Sequence, residues 1–216
     1  PVMPAEEDFF KESTQLVIDG SKLNGTGNVV MNGYQKLDYV NVLEGRQKTE
    51  KINAFYTRNF RKGNNKFIVN KTSDYDFENK DKPSVIEYDF EIANYTNQSD
   101  DEVYINLHLD KYLKSNDFEE DRVLPYDAKF KYINKQIVRF EVPAGYSVNY
   151  VPENDSFKDE QFYFDIEYVQ NGNTVTLTST IYMNTIVIKK EKFEEWNKMI
   201  KKLNRNYSEV LILKKN

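Results

Sequence analysis

A run of alternating apolar and threonine residues near the C-terminus places the strongest constraint on the fold. Within Thr174–Lys190, apolar residues occupy one set of alternate positions, namely Val175, Leu177, Ile181 and Met183. Threonines occupy the other set, at Thr174, Thr176, Thr178 and Thr180. Side chains of a β-strand point alternately to opposite faces, so this period of two predicts a half-buried strand. The apolar parity then switches to Ile186 and Ile188. We therefore expect the strand to bulge, bend or pass to another sheet at Asn184-Thr185.

The spacing of apolar residues changes to that of a helix after this run. Apolar side chains recur every three or four positions at Phe193, Trp196, Ile200 and Leu203. This spacing puts them on one stripe of an amphipathic helix from about Lys190 to Asn204. Val210–Leu213 follows as a continuous apolar run, which predicts a closing strand buried on both faces or nearly so.

Turn residues between alternating segments predict two hairpins. Gln161–Val169 alternates with Phe162, Phe164, Ile166 and Tyr168 on one face. Asn171-Gly172 joins it to the threonine-rich run, and this dipeptide tolerates the positive φ angles of a type I′ turn. Near the N-terminus, Gln15–Gly20 and Thr26–Asn32 are predicted to pair, with Ser21, Asn24 and Gly25 in the turn.

The middle of the chain adds more strands and a helix. Ser84–Asn94 and Asp101–Asp110 alternate cleanly, with Asn97–Asp100 as a turn, so they are predicted to form an antiparallel hairpin. Lys48–Lys62 has apolar residues at helical spacing, and Tyr34–Leu43 is a shorter helical segment before it. Further predicted strands are Tyr126–Tyr132, Gln136–Val142 and Ser147–Val151.

These elements predict a mainly β fold: antiparallel β-sandwich-type sheets with one helix in the N-terminal half and one amphipathic helix near the C-terminus. A polar, acidic stretch from Lys114 to Asp121 marks a subdomain boundary. We predict a connecting segment at 1–13, an N-terminal β-rich subdomain with one helix at 14–113, and a C-terminal antiparallel β subdomain with a closing helix and strand at 114–216. The two halves form either one sandwich or two domains.

The composition excludes several classes of function. The 216 residues contain no cysteine, which removes disulfides, thiolate metal sites and thiol nucleophiles. The net charge of −5 argues against nucleic acid, because phosphate binding needs a clustered positive surface. No apolar stretch reaches the roughly 18 residues of a membrane-spanning helix. The chain starts at Pro1 without an apolar signal segment, which predicts a processed product or an excerpt of a longer protein.

Histidine and glycine offer little chemistry. His108 is the one histidine and lies on the polar parity of its strand, so we expect a solvated or locally bonded surface side chain. No G-x-S-x-G motif accompanies it, and metal sites built on two histidines are excluded. Gly25-Thr26-Gly27 is a short fragment of a glycine-rich loop, and a β-turn explains it better than a nucleotide site.

Acidic clusters and aromatic residues leave two binding hypotheses open. Carboxylates cluster at Asp74, Asp76, Glu78 and Asp81, and again at Asp100, Asp101 and Glu102. The first cluster offers alternating ligands for Ca²⁺ but lacks the glycine and distal glutamate of an EF-hand loop, so a solvated loop is the favoured interpretation. Most of the 16 tyrosines and 14 phenylalanines alternate with polar residues and are predicted to be core. Tyr146, Tyr150 and Tyr163 are candidates for exposed platforms that stack on sugars.

Several local patterns resemble the C-terminal region of secreted bacterial transglutaminase-like proteins, a family common among Bacteroidetes. The residues that carry the resemblance are Ile18-Asp19-Gly20, Leu23–Gly27, Gly33-Tyr34, Arg122–Asp127, Val142–Tyr146, Val151-Pro152 and Lys192–Lys214. In that family a domain of unknown function precedes a transglutaminase-like core, and an all-β region of about this length follows it. Arg122–Asp127 is similar to the family's Arg-x-x-Pro-Val-Asp stretch, in which we expect an Arg122–Asp127 ion pair as a structural clasp.

The resemblance implies a non-catalytic accessory β-module of an exported protein, periplasmic or on the cell surface, with a structural or domain-positioning role. The family's Cys-His-Asp set would lie upstream of Pro1, so no catalytic residue, cofactor or metal ligand is carried over. The implied partner is the upstream transglutaminase-like domain of the same polypeptide. The alternative is a cell-surface module that binds a glycan or peptide.

Overall fold

The computed structural model describes residues 2–43, 49–60, 62–73, 79 and 81–216. The N-terminal elements are β1 Phe9–Asp19, β2 Lys22–Asn32, α1 Gly33–Leu43, α2 Thr49–Asn59, β3 Phe67–Thr72, β4 Ser84–Ile92, β5 Asn97–Ser99 and β6 Glu102–Ile105. The C-terminal elements are β7 Tyr126–Asp127, β8 Tyr132–Glu141, β9 Tyr146–Tyr150, β10 Asp155–Lys158, β11 Phe162–Asn171, β12 Thr174–Met183, β13 Val187–Ile188, α3 Phe193–Asn206 and β14 Leu211–Lys215. The predicted mainly β fold class is confirmed.

An eight-stranded sheet forms the larger layer, in the order β10-β11-β12-β8-β1-β2-β4-β3. Its neighbours pair antiparallel except β1 and β8, which pair in parallel from Phe9↔Ile133 to Leu16↔Phe140. This central pair joins strands from both sides of the predicted boundary at 113/114, so one sheet spans both predicted subdomains. Strand β1 already begins at Phe9, inside the predicted connecting segment 1–13.

A smaller four-stranded sheet, in the order β5-β6-β14-β9, forms the second layer. Strand β6 pairs with β14 and β5, whereas β4 pairs with β2 and β3. The predicted hairpin of Ser84–Asn94 with Asp101–Asp110 is therefore wrong. Alternation specifies which face of a strand is buried but not which strand lies beside it. Between the two strands the chain crosses from one sheet to the other, with Asn94 at a φ of 51°.

Helices and the small sheet cover the same face of the large sheet. The N-terminal half has two helices: α2 lies within the predicted helix Lys48–Lys62, and α1 matches the shorter helical segment Tyr34–Leu43, so the single helix in the predicted fold class undercounts them. Both pack on this inner face: the Tyr39 ring of α1 lies 6.1 Å from Phe10, and Phe60, just after α2, lies 4.9 Å from Tyr88. Inward side chains of both sheets join one hydrophobic core. The outer face of the large sheet stays exposed. Within the described residues, no helix is long and apolar enough to cross a membrane.

The β1–β2 and β11–β12 hairpins form as predicted, but their turns differ from the prediction. The β11–β12 loop consists of Gly172 and Asn173, because Asn171 pairs with Thr174. Gly172 has a φ of 58° and occupies the first central position, which is typical of a type II′ turn. In the β1–β2 hairpin the last pair is Asp19↔Lys22, so Asn24 and Gly25 lie within β2.

The C-terminal run behaves as its alternating pattern predicts. Strand β12 ends at Met183, and after the parity switch Val187–Ile188 pairs with β7 in a separate two-stranded sheet. Helix α3 buries Phe193, Trp196, Ile200 and Leu203, as predicted. The Trp196 indole N–H donates to the Asn116 carbonyl at 2.6 Å, and its ring lies 5.2 Å from Phe162 on β11. The closing strand buries Leu211 and Leu213, with Ile212 between them half-buried.

Candidate functional site

A polar cavity of about 330 Å³ lies on the inner face of the large sheet. It is bounded by α1, the end of α2 and the segment that follows β6. The residues of its lining that matter here are Phe10, Glu12, Tyr39, Lys62, Asp110 and Asn134. We name it the Glu12 cavity. Polar cavities that contain buried ionisable groups are the usual starting point for locating a functional site.

Glu12 is a buried carboxylate at the centre of this cavity. It lies on the inner face of β1 and is 4% exposed. Its Oε2 accepts a hydrogen bond from the Lys62 ammonium, and its Oε1 accepts one from the Tyr88 hydroxyl. The Lys62 side chain is itself only 4% exposed. Burying a charge is costly unless it is paired, so each member of this ion pair depends on the other.

Tyr88 reaches Glu12 across β2 because that strand has a glycine at the crossing point. Gly27 pairs with Thr14 on one side and with Tyr88 on the other. A Cβ at Gly27 would lie 2.7 Å from the Tyr88 hydroxyl oxygen and closer still to its ring. Gly25 makes the same room for Phe90. The β-turn predicted for Gly25-Thr26-Gly27 is therefore wrong: these glycines lie in a strand and accommodate aromatic rings from β4.

Asp110 brings a second carboxylate to the cavity. Its Oδ2 accepts a hydrogen bond from the Gln136 side chain at 3.1 Å. Burial raises the pKa of Asp110; the nearby Lys62 ammonium opposes this, and the Glu12 carboxylate adds to it. Burial also raises the pKa of the Tyr39 hydroxyl, with further contributions from Glu12 and Asp110. The cavity therefore holds two carboxyl groups but one buried ammonium.

A second concave region lies on the outer face of the large sheet. This groove has a volume of about 480 Å³, and its lining includes Gln15, Thr26, Asp89 and Arg139. Gln15 lies between Arg139 on β8 and Thr26 on β2, and Thr26 pairs with Asp89 on β4, so the four form one row across the sheet. Within the described chain neither the Arg139 guanidinium nor the Asp89 carboxylate has an ion-pair or hydrogen-bond partner.

His108 is buried, which corrects the expectation of a surface side chain. The backbone N–H of Leu109 bonds the Leu107 carbonyl at 2.9 Å, and this tight turn buries three consecutive residues. The His108 Nε2 lies 3.0 Å from the Tyr168 hydroxyl. Burial lowers the pKa of His108 to about 3, with a smaller contribution from Lys111. The ring is therefore neutral at pH 7 and serves as a core hydrogen-bonding group.

The expected ion pair between Arg122 and Asp127 does not form. The Arg122 guanidinium donates to the carbonyls of Leu124 at 3.0 Å and Pro125 at 3.3 Å, and lies 5.1 Å from the Phe118 ring. Asp127 instead accepts a hydrogen bond from the backbone N–H of Lys129 at 2.8 Å. The motif is still a clasp, because Arg122 fixes the loop that follows it, but its acceptors are carbonyls.

The aromatic and acidic candidates occupy separate places. Tyr150 is 41% exposed and Tyr146 is half-buried, both on edge strand β9, whereas Tyr163 stacks on Tyr182 at 4.8 Å on the large sheet. The structure therefore does not bring the three into one platform. Of the first acidic cluster, Asp74, Asp76 and Glu78 lie outside the described residues. In the second cluster, Asp101 pairs with Lys214 at 3.6 Å, and Glu102 accepts from Tyr104 and Asn149. The described residues contain no group of three metal-binding side chains.

Sequence reasoning missed the Glu12 cavity although a signal was present. Alternate residues of β1 point to the same face of the sheet, so extending the alternation back from Leu16 places the Glu12 carboxylate on the apolar face. The residues on this face are Phe10, Glu12, Thr14, Leu16 and Ile18. Lys62 and Asp110 carry no such signal, because both lie outside regular elements.

Comparison with known proteins gives one match. Residues 101–213, more than half of the chain, match the family described as a domain of unknown function with solved-structure structure, DUF3858. No curated protein and no solved structure matches the chain. The matched region runs from just before β6 into β14, so it contains the small-sheet strands β6 and β9, the first residues of β14 and the C-terminal strands of the large sheet. On this match, the chain belongs to the DUF3858 family.

Proposed function

We propose that this chain is a non-catalytic accessory β-module of an exported transglutaminase-like protein, with a structural or domain-positioning role. In this proposal the protein is periplasmic or on the cell surface, and the partner is the upstream transglutaminase-like domain of the same polypeptide. The sequence resemblance supports the partner. The arrangement of the ionisable groups agrees with a structural role, because Glu12 and Lys62 bond each other and His108 is a neutral core group.

The main structural support for the proposal is the loop Arg122–Pro125, which we name the Arg122 loop. Val123 and Leu124 are 64% and 72% exposed, the largest exposed fractions among the large apolar residues described. The hydrogen bonds of Arg122 to the carbonyls of Leu124 and Pro125 hold the backbone beneath them. The loop therefore presents two apolar side chains on a fixed backbone.

A fixed apolar loop suits docking because little conformational entropy is lost when it binds. Burying a valine or leucine side chain completely contributes about 1.5–3 kcal/mol. Two such side chains, surrounded by polar residues, therefore supply a useful part of the affinity between neighbouring domains. Interfaces between domains of one chain are modest in size and rely on few such contacts.

The test is association of this chain with the separately expressed upstream transglutaminase-like domain, measured by sedimentation or calorimetry. We expect binding in the high micromolar range or tighter, and no hydrolase or transferase activity from this chain alone. The double variant Val123→Ser/Leu124→Ser should fold normally and bind at least about tenfold more weakly. Ile68→Ser/Val169→Ser is the matched control, because it removes two exposed apolar side chains from the large sheet.

Two outcomes would contradict the proposal. Absence of association at high micromolar concentrations would exclude docking of this kind. Equal affinities of the Arg122-loop variant and the wild type would show that another surface, or none, is used. Melting temperatures of both double variants confirm that any loss of binding does not come from unfolding.

The alternative function, binding of a cell-surface glycan or peptide, is favoured by the outer-face groove. Its row of Arg139, Gln15, Thr26 and Asp89 offers a cation and a carboxylate that have no partner among the described residues and lie about three strand spacings apart, or roughly 14 Å. Screening against glycan and peptide arrays tests it, with Arg139→Ala expected to abolish any signal. Arrays without a specific hit, or a hit that Arg139→Ala leaves intact, would remove this candidate.

A further inference from the structure

The Glu12 cavity has polar groups that the Glu12–Lys62 pair does not use. Asn134 lines it, is 7% exposed, and has no hydrogen-bond partner for its side chain within the described residues. The Tyr39 hydroxyl is likewise without a partner in the part of the chain that is described. Asn134 is buried and Tyr39 is half-buried, and polar groups in such places are normally bonded to protein, water or ligand. Both therefore point to an occupant that accepts or donates hydrogen bonds.

The charges in the cavity favour a positively charged occupant. Glu12 and Asp110 are two carboxyl groups, and Lys62 is bonded to the first of them. Arg58 also lines the cavity, but it is exposed to solvent. Asp110 is thus left without an ion-pair partner in the described structure, and its Oδ2 accepts one hydrogen bond from the neutral Gln136 side chain. A cation in the cavity would pair with the Asp110 carboxyl group.

Aromatic rings on the cavity wall distinguish an organic cation from a metal ion. Phe10, Tyr39, Phe60 and Tyr112 all line the cavity. Tyr39 lies 6.1 Å from Phe10 and 5.9 Å from Phe60 between ring centres. The faces of such rings attract ammonium groups, and the described residues contain no group of three or more histidine or carboxylate side chains that could hold a metal ion.

We propose that the Glu12 cavity binds a small organic ammonium ion. The three N–H donors of a primary ammonium match three acceptors: the Asp110 carboxylate, the Asn134 side-chain carbonyl and the Tyr39 hydroxyl oxygen. The alkyl part of the ligand packs against the aromatic wall. A volume of about 330 Å³ equals the liquid volume of roughly eleven water molecules, so a short alkylamine fits. The ligand is either a free amine or a lysine side chain of another protein, and this inference does not depend on the proposed function.

The test is an NMR titration of the intact chain with propylammonium chloride, with propanol as the neutral ligand of similar shape and sodium chloride as the salt control. We expect saturable shifts of residues around the cavity with propylammonium and at least about tenfold weaker binding of propanol. Asp110→Asn removes the charge and keeps the shape, and should weaken propylammonium binding about tenfold or more. Asp19→Asn, which changes an exposed carboxylate at the end of β1, is the matched control and should bind as the wild type does.

Equal affinities for propylammonium and propanol would overturn the proposal, and so would wild-type affinity in folded Asp110→Asn. If Asp110→Asn does not fold, Tyr39→Phe decides, because it keeps the ring and removes one acceptor. Weaker binding by that variant supports the site, and unchanged binding overturns it. A third ligand, Nα-acetyl-lysine amide, separates the two sources. Binding comparable to that of propylammonium indicates a lysine side chain, and binding of propylammonium alone indicates a free amine.

Discussion

The substitution Gly27→Ala tests how the Glu12 cavity is assembled. The added Cβ would lie 2.7 Å from the Tyr88 hydroxyl oxygen, and the Tyr88 ring cannot move away freely because it stacks on Phe60 at 4.9 Å. Overpacking of this kind costs about 1–3 kcal/mol. Displacing the Tyr88 hydroxyl from the buried Glu12 carboxylate costs about 1.5–3 kcal/mol more. These costs are offset by about 0.5–1 kcal/mol, because alanine loses less backbone entropy than glycine when the chain folds.

We therefore expect Gly27→Ala to lower the free energy of unfolding by about 2–5 kcal/mol. Urea unfolding followed by the fluorescence of Trp196, the one tryptophan, measures it. Thr26→Ala is the control: its side chain points to the outer face, and the change should stay within about 0.5 kcal/mol. In a Tyr88→Phe background the cost of Gly27→Ala should fall to the steric cost less the backbone-entropy gain, about 0–2.5 kcal/mol.

Two results would refute this reasoning. A cost of Gly27→Ala below about 0.5 kcal/mol would mean that the ring of Tyr88 does not cross β2 at this glycine. Equal costs in the wild-type and Tyr88→Phe backgrounds would mean that the hydroxyl does not bond Glu12 through this gap.

Two further predictions concern the core. Trp196→Ala should lower the free energy of unfolding by about 3–5 kcal/mol, because the indole is 1% exposed and packs on Phe162. Chemical denaturation followed by circular dichroism measures this loss. A loss below about 1 kcal/mol would show that α3 is not docked as described. Burial lowers the pKa of His108 in the folded protein to about 3, from an ordinary value of 6.5. Between these two pH values the unfolded chain binds a proton that the folded protein does not, so the free energy of unfolding falls as the pH falls, by up to about 1.4 kcal/mol per pH unit. In His108→Phe the free energy of unfolding should decline less steeply between pH 6 and 4, and the difference in slope should be about this size. Parallel stability–pH curves for the variant and the wild type would contradict this prediction.

Local patterns predicted the elements of this fold better than their partners. The alternation of β4 and β12 and the stripe of α3 identified which side chains are buried, because burial on one face follows directly from backbone geometry. The same alternation gave β4 the wrong neighbour, since any antiparallel strand with an apolar face fits it. His108 was misplaced because strand β6 ends at Ile105, and the turn at Leu107–Leu109 follows a different geometry.

The candidate site was harder to predict because its residues come from distant parts of the chain. Glu12, Tyr88 and Asp110 meet only after β1, β4 and the segment following β6 are in place. Gly27 leaves the space through which Tyr88 reaches Glu12, but in the sequence this glycine resembles a turn residue. Only the pairing of β2 with β4 shows which ring needs that space.

The parallel pairing of β1 with β8 affects how this family can be studied in pieces. A fragment cut at the limits of the DUF3858 match, residues 101–213, keeps β8 but loses β1 to β5. That cut would leave the backbone N–H and C=O groups of β8 as an open edge with its apolar inner residues uncovered. Such edges recruit other chains, so the fragment would aggregate or pair with copies of itself. Expression boundaries for DUF3858 proteins of this kind belong before β1, not at the first matched residue.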